Sequence, residues 1–193
     1  MRKRYKIFLF RHGQTTFNRD GRFTGQSEAK LTALGKRHAL KIVRELKGEG
    51  FEVAIHTRLS RSKDTLRSVL KFHPECRIIL EDDRMIERSY GKLEGMTHKS
   101  VIEKYGQGQF DAWHRGYEIR DRPPKGECFA DVEKRVGKFI KDLKKFMRKN
   151  KVNVAISGHG NSIRLFRKIM ERASRREVVK WVIPYDKVFE YSV

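Results

Sequence analysis

Two histidines follow short apolar runs directly. Arg11-His12-Gly13 comes after Tyr5 to Phe10, and Gly158-His159-Gly160-Asn161 comes after Val152 to Ile156. Two further runs, Phe51 to Ile55 and Arg77 to Leu80, lead into Thr57, Arg58 and Arg61 and into Glu87 respectively. Apolar runs of this length, rich in aromatic and β-branched residues, read as buried strands. In an open parallel sheet, ligands bind at the carboxyl ends of strands, where loops converge and helix N-termini turn their N–H groups toward the same crevice. What converges here is two imidazoles, at least two guanidinium forks and one carboxylate. A neutral imidazole carries a lone pair that can attack phosphorus, guanidinium groups pair with phosphoryl oxygens, and a carboxyl can give and take a proton. This set suits binding and transfer of a phosphoryl group without a metal.

The elements between these strands are amphipathic. Thr32 to Lys47 sets Ala39, Leu40, Val43 and Leu46 on one helical face, with Thr32 as N-cap and Gly48 and Gly50 as stop signals. Ser62 to Phe72 repeats Leu66, Val69 and Leu70 at helical spacing before Pro74. Asp131 to Met147 carries the widest apolar stripe: Val132, Val136, Phe139, Ile140, Leu143, Phe146 and Met147. A helix from Ser162 to Met170 follows the second histidine, Ser174 and Glu177 have capping-box spacing for a short helix to about Trp181, and Val188 to Tyr191 reads as a last strand. Strands alternating with helices predict an α/β fold: a mostly parallel central sheet between two helical layers. Glu87 to Glu127 breaks the rhythm with six glycines and reads as an insertion, a flexible cover over the site.

Length and composition narrow the class. The chain has 193 residues and a formal charge of +21. Its longest apolar runs fall far short of the roughly 20 residues that cross a bilayer. The basic start, Met1 to Lys6, precedes too few apolar residues for a secretory signal, so a cytoplasmic address is expected. Cys76 and Cys128 lie far apart and belong to no C-x-x-C pair, which argues against a disulfide framework or a thiolate metal site. The cations are spread along the chain and not gathered in one arm, so a nucleic-acid partner is not expected and most of the charge is solvated surface. Homo-oligomerisation stays open.

Four segments resemble the histidine phosphatase superfamily, on its cofactor-dependent phosphoglycerate mutase branch. They are Arg11-His12-Gly13-Gln14-Thr15, Leu59-Ser60-Arg61-Ser62, Glu87-Arg88-Ser89-Tyr90-Gly91 and Ser157-Gly158-His159-Gly160-Asn161-Ser162, in family order over nearly the whole chain. The resemblance implies one domain over residues 1–193 with a cover at about 87–127. It implies an enzyme acting on a small phosphorylated metabolite by a two-step reaction through phosphohistidine. His12 would be the nucleophile, Glu87 the proton donor and acceptor, and Arg11, Arg61 and His159 the groups that stabilise the transferring phosphoryl. Arg58 has a weaker claim than Arg61, because the Leu-x-Arg-Ser spacing selects the latter. Asn18, Thr24, Gly25, Tyr90, Arg115, Gly160 and Asn161 match substrate-contacting positions. No metal is implied, and 2,3-bisphosphoglycerate would serve as primer if the chain were a mutase. His38, His56 and His73 are read as ordinary structural histidines.

The mutase pattern frays at the second phosphate clamp. Where mutases place a lysine after Glu-x-x-Tyr-Gly this chain has His98, and their paired arginines after tryptophan become His114-Arg115. Pro123 to Glu127 leads almost directly into the long helix and is similar to the matching segment of fructose-2,6-bisphosphatase domains. Hydrolysis of phosphomonoesters is therefore the leading expectation and phosphoglycerate mutation the alternative; a polyanion- or nucleic-acid-binding protein with a vestigial site, motivated by the +21 charge, ranks behind both because every core motif residue is present.

Overall fold

The first strand, β1 (Lys6–Arg11), is buried along Ile7 to Phe10 and lies between two neighbours. In this computed structural model residues 4–193 are described; Arg2 and Lys3 of the basic start lie outside the described residues. The other strands are β2 (Val53–His56), β3 (Ile78–Glu81), β4 (Val154–Gly158) and β5 (Val188–Ser192), in sheet order β3-β2-β4-β1-β5. All neighbours run parallel except β5, which returns antiparallel to β1. Strand alternation sends Ile7 and Leu9 to one face of the sheet and Phe8 and Phe10 to the other. The first pair joins Val53, Ile55, Val154 and Ile156 in a core closed by Val132, Val136, Phe139, Leu143 and Phe166. The second joins Ala54 and Ala155 under Ile42, Leu46, Leu66 and Val69. Each such fully buried side chain contributes on the order of 1.5–3 kcal/mol, and the two clusters make the expected three-layer α/β/α arrangement.

The covering helices are α2 (Ala33–Glu45) and α3 (Ser60–Leu70) on one face and α6 (Phe129–Asn150) and α7 (Gly160–Glu171) on the other. Thr32 caps α2 as read, its Oγ1 accepting from the Gly35 N–H at 2.9 Å, and Ser174 and Glu177 form the capping box of α8 (Arg175–Val178). The face of α2 differs from expectation. The buried row is Gly35, Ala39, Ile42 and Leu46, which turns Leu40 out to solvent at 48% exposure. Gly35 belongs to that row because its neighbour is backbone: a Cβ there would stand 2.0 Å from the Gln14 carbonyl oxygen, so only glycine lets the loop after β1 lie against the helix. The third strand also departs from a sheet covered on both faces. All four residues of β3 are exposed, because α3 packs mainly over β2 and β4 and leaves this edge bare.

The 87–127 segment is structured. It holds α4 (His98–Tyr105), α5 (Gln107–Arg115) and two single 3₁₀ turns, following a short α1 (Thr16–Arg19) earlier in the chain. Val101 and Phe110 pack with Leu93, Tyr90 and Phe23 in a third small cluster. The six glycines read as flexibility instead include the turn at Gly91 (φ +54°) and the junction of α4 and α5 at Gly106 (φ +82°). Val101 and Ile102 on α4 and Phe110 and Trp113, three apart on α5, supply the apolar faces that hold these helices down.

Candidate active site

The sheet register brings the two histidines together. β1 and β4 are adjacent and parallel, with Arg11 opposite Gly158, and the His12 N–H donates to the Gly158 carbonyl at 3.1 Å. The residues that leave these strands are therefore neighbours, and the His12 and His159 rings lie 5.0 Å apart between centroids. The His12 Nδ1–H donates to the Gly13 carbonyl at 2.7 Å, which assigns the proton to Nδ1 and leaves the lone pair on Nε2. Burial, then the Arg61 and Arg11 guanidiniums, hold this imidazole well below its ordinary pKa and keep it neutral.

β2 lies on the other side of β4, so its end delivers Thr57 to His159. Thr57 Oγ1 is 2.8 Å from His159 Nε2; with the hydroxyl donating, His159 Nδ1 carries the proton. His159 is fully buried and sits beneath the cleft beside His12, not on its surface. Its pKa is driven far down by burial, then by Arg61, His12 and Arg11.

Arg61 stands in the first turn of α3, and that turn is locked to β4. The Ser62 hydroxyl donates to the Ser157 carbonyl at 2.7 Å and accepts from the Thr57 N–H at 3.1 Å. The Arg61 guanidinium is buried and holds the Gly25 and Ser27 carbonyls at 2.7 and 2.8 Å. Burial lowers its pKa to about 10, so it stays a cation. Arg58 points elsewhere, pairing with Asp83 at 2.5 Å and with Gln26 outside the cleft. Arg11 is stacked on the Tyr185 ring at 4.0 Å and donates to the Ile183 carbonyl at 2.8 Å.

Glu87 enters from the end of the β3 connection. Its Oε1 accepts from the backbone N–H groups of Arg88 and Asn161 at 2.8 and 3.0 Å. A methyl group on Gly160 would stand 3.4 Å from both Glu87 Oε2 and the Arg11 guanidinium, so both side chains reach the start of α7. The Asn161 N–H at the start of α7 is committed to Glu87 and is not free for phosphate, because the carboxylate occupies that end of the helix dipole.

These groups line a cleft of about 350 Å³ bounded also by Asn18, Thr24, Gly25, Tyr90, Gly160 and Asn161, and Arg115 stands at its exposed rim. Asn18 Oδ1 is taken by the Thr15 cap of α1 at 3.1 Å, which leaves its amide N–H₂ for the cleft. Thr24 Oγ1 is buried with no hydrogen-bond partner among the described residues. His38, His56 and His73 stay outside: His38 stacks on Tyr185, His56 Nδ1 bonds the Thr57 carbonyl, and His73 binds Glu75.

Sequence reasoning missed Arg164 and Tyr185. Arg164 lies one turn beyond Asn161 on α7 and bonds its Oδ1 at 2.7 Å; burial lowers the guanidinium to about 10. The i, i+3 spacing from Asn161 was the available signal. Tyr185 arrives on the 179–187 loop, and nothing local in the sequence marks it. The α4–α5 segment contributes His98, at the start of α4, and His114, near the end of α5, their rings 5.1 Å apart. Burial lowers both, His114 to about 3, so the two imidazoles are uncharged. Arg22 and Arg115 line the cleft as well, so Glu87 is its single carboxylate among five arginines.

The buried neutral imidazoles have a consequence for stability. An unfolded chain protonates His12, His114 and His159 as pH falls through about 6.5, whereas the folded chain does not. Stability from these groups is therefore complete above that pH and falls below it, by at most about 1.4 kcal/mol per pH unit for each. The urea midpoint at pH 5.5 is expected to lie clearly below that at pH 7; an equal or higher midpoint would contradict three buried neutral histidines.

Comparison with known proteins gives consistent results. A model of the histidine phosphatase superfamily (branch 1) matches residues 7–189. A 2,3-bisphosphoglycerate-dependent phosphoglycerate mutase of Borrelia garinii subsp. bavariensis is 33% identical, the match covering 93% of this chain and 83% of the relative. Among solved structures, the α-ribazole phosphatase of Shigella flexneri superposes with a TM-score of 0.82 at 22% identity, over 96% of this chain and 90% of the other. A mycobacterial glucosyl-3-phosphoglycerate phosphatase in complex with VO3 has a TM-score of 0.80 at 21% identity, over 98% and 92%.

Proposed function

Because the chain belongs to the histidine phosphatase superfamily, its members enzymes of phosphoryl transfer, we propose that it hydrolyses small phosphomonoesters through a phosphohistidine formed at His12. In the first step the Nε2 lone pair attacks phosphorus, the N–P bond forms as the ester P–O bond breaks, and Glu87 gives a proton to the departing oxygen. In the second, Glu87 takes a proton from water, which attacks phosphorus and releases inorganic phosphate and free His12. Negative charge on the equatorial oxygens is met by the Arg11 and Arg61 guanidiniums. His159 acts from beneath the cleft, its ring against that of His12. Support for the assignment of His12 is the 2.7 Å bond from its Nδ1 to the Gly13 carbonyl, which aims a neutral Nε2 outward.

Hydrolysis is preferred over mutation on one observation. At the two positions where the mutase branch carries lysine and arginine, this cleft has the uncharged His98 and His114. A mutase needs a strong anion clamp to hold its intermediate while it turns over and to keep water from the phosphoenzyme. Two neutral imidazoles bind a second anionic group more weakly. The competing reading, a 2,3-bisphosphoglycerate-primed mutase, is favoured by the 33% identity to a protein so named and by Arg115 at the cleft rim.

Incubation with 3-phosphoglycerate decides between them. Free phosphate without 2-phosphoglycerate is expected, and isomer without phosphate release would reverse the order. Vanadate, which can adopt the trigonal geometry of a transferring phosphoryl, is expected to inhibit strongly in chelator-free buffer, and EDTA alone is expected to leave turnover unchanged.

A further inference from the structure

α6 carries a row of cations along the line of its surface farthest from the core. Lys134, Lys138, Lys141, Lys145 and Arg148 are all exposed and follow one another at alternating steps of four and three residues. At about 100° per residue these steps keep the row within about 80° around the helix axis, opposite the buried face of Val136, Phe139 and Leu143. A rise of about 1.5 Å per residue makes the row about 21 Å long. Helical geometry thus gathers into one straight line part of the charge that reads as dispersed along the sequence.

Side chains three and four apart on a helix are neighbours, and like charges at those spacings are destabilising. Exposed helix faces ordinarily relieve this with acids interspersed among the bases. α6 does not. Its acids, Asp131, Glu133 and Asp142, are each paired with a cation from outside the helix, Arg122 at 2.6 Å, Lys168 at 2.5 Å and Arg84 at 2.6 Å, and no member of the row makes an ion pair among the described residues. The cleft is lined by no described residue of α6, so the row has no part in holding the substrate phosphoryl.

We propose that this face of α6 binds the phosphate backbone of a nucleic-acid duplex without reading its sequence. One strand of a duplex carries a phosphate about every 3.4 Å of axis, so about six phosphates run past the length of the row. Lysine and arginine meet those oxygens whatever the base. The row has no aromatic side chain on which unpaired bases would stack and no amide to read a base edge, which selects a duplex backbone over a single strand. A membrane surface fits less well, because a helix lying in the lipid interface needs its apolar face free. The apolar face of α6 is spent on the core of the protein. A polyanion along the row relieves the repulsion that α6 otherwise carries, and each phosphate neutralised releases a counterion.

The test is the anisotropy of a fluorescein-labelled DNA duplex of about 20 base pairs, titrated with the full chain between about 50 and 200 mM KCl. Binding is expected to weaken by about 500-fold across that range, the loss for about five phosphates neutralised. Lys138→Glu, Lys141→Glu and Lys145→Glu together should weaken it by about 100-fold or more at the lower salt and flatten the salt dependence by about three phosphates. A control triple, Lys36→Glu, Arg37→Glu and Arg44→Glu, makes the same change in net charge at exposed positions of α2 on the other face of the sheet. It should weaken binding by less than about fivefold. The single variant Lys141→Glu sets an acid between two lysines and so should not lower the thermal midpoint, yet it should weaken binding by about tenfold. That combination separates a lost surface from a lost fold. Absence of binding at about 50 mM KCl, equal losses from the two triples, or phosphatidylserine vesicles or poly-glutamate competing as well as unlabelled duplex at equal charge would each overturn the proposal.

Discussion

His12→Ala is expected to lower phosphate release by about 10⁴-fold or more, the scale on which loss of a covalent nucleophile acts. The same substitution should abolish the acid-labile, base-stable label that the unaltered protein acquires from a ³²P-labelled phosphomonoester. The loss belongs to chemistry and not to folding if thermal unfolding of the variant remains cooperative. The His12 side chain makes a single hydrogen bond, to Gly13, and His12→Asn offers a second variant that keeps a polar group in the space. Label persisting in both variants would remove His12 as the site of attack and, with it, the proposed reaction. Because His12 and His159 are in ring contact, His159→Ala is not an equivalent control: it opens a cavity beneath the nucleophile.

Glu87→Gln is expected to separate the two proton transfers. A glutamine Oε1 still accepts from the Arg88 and Asn161 N–H groups, so the end of α7 and the adjoining loop keep their arrangement. What disappears is the transferable proton. For alkyl phosphates, whose leaving alkoxide needs protonation, phosphorylation of the enzyme should slow by about 10²–10⁴-fold. For p-nitrophenyl phosphate, whose phenolate departs unaided, the burst of nitrophenol should survive nearly intact. A slow steady state should follow it, because water has then lost its base. Equal losses in the two burst rates would assign Glu87 to binding or structure. This contrast in leaving-group dependence is the sharper of the two tests of mechanism, since a merely destabilised cleft would not discriminate between substrates.

The cleft has five arginines and one carboxylate, yet the charges are not interchangeable. Arg61 spends two donors on the Gly25 and Ser27 carbonyls and so shapes the loop that carries Thr24. Arg164 steadies Asn161 and the Trp181 carbonyl. Arg88, fully buried between the Tyr90 and Phe129 rings, holds the Trp113 and His114 carbonyls and so fixes the end of α5 against the cleft. A guanidinium that crosslinks backbone in this way is preorganised for an anion, because little side-chain entropy remains to be lost when the anion arrives.

Much of this was legible along the chain, because the determinants are local. Alternation in β1 and β4 and the stripe of α6 each require one face to be buried, and the caps at Thr32 and Ser174 are short-range hydrogen-bond patterns. The motif residues could likewise be assigned to strand ends, and strand ends in a parallel sheet share one rim. Tertiary structure alone decided matters that depend on distant segments meeting. Leu40 faces water because Ile42 and Leu46 sit nearer the sheet, and β3 is bare because α3 covers its neighbours. His159 lies under the cleft because β2 brings Thr57 to it, and Asn161 gives its N–H to a carboxylate 74 residues away in the sequence. The burial that leaves His98 and His114 uncharged comes from packing on Phe23 and Phe110. Burial is a sum over neighbours from the whole chain, so the charge state of the cleft, on which the choice between hydrolysis and mutation rests, had no local signature to read.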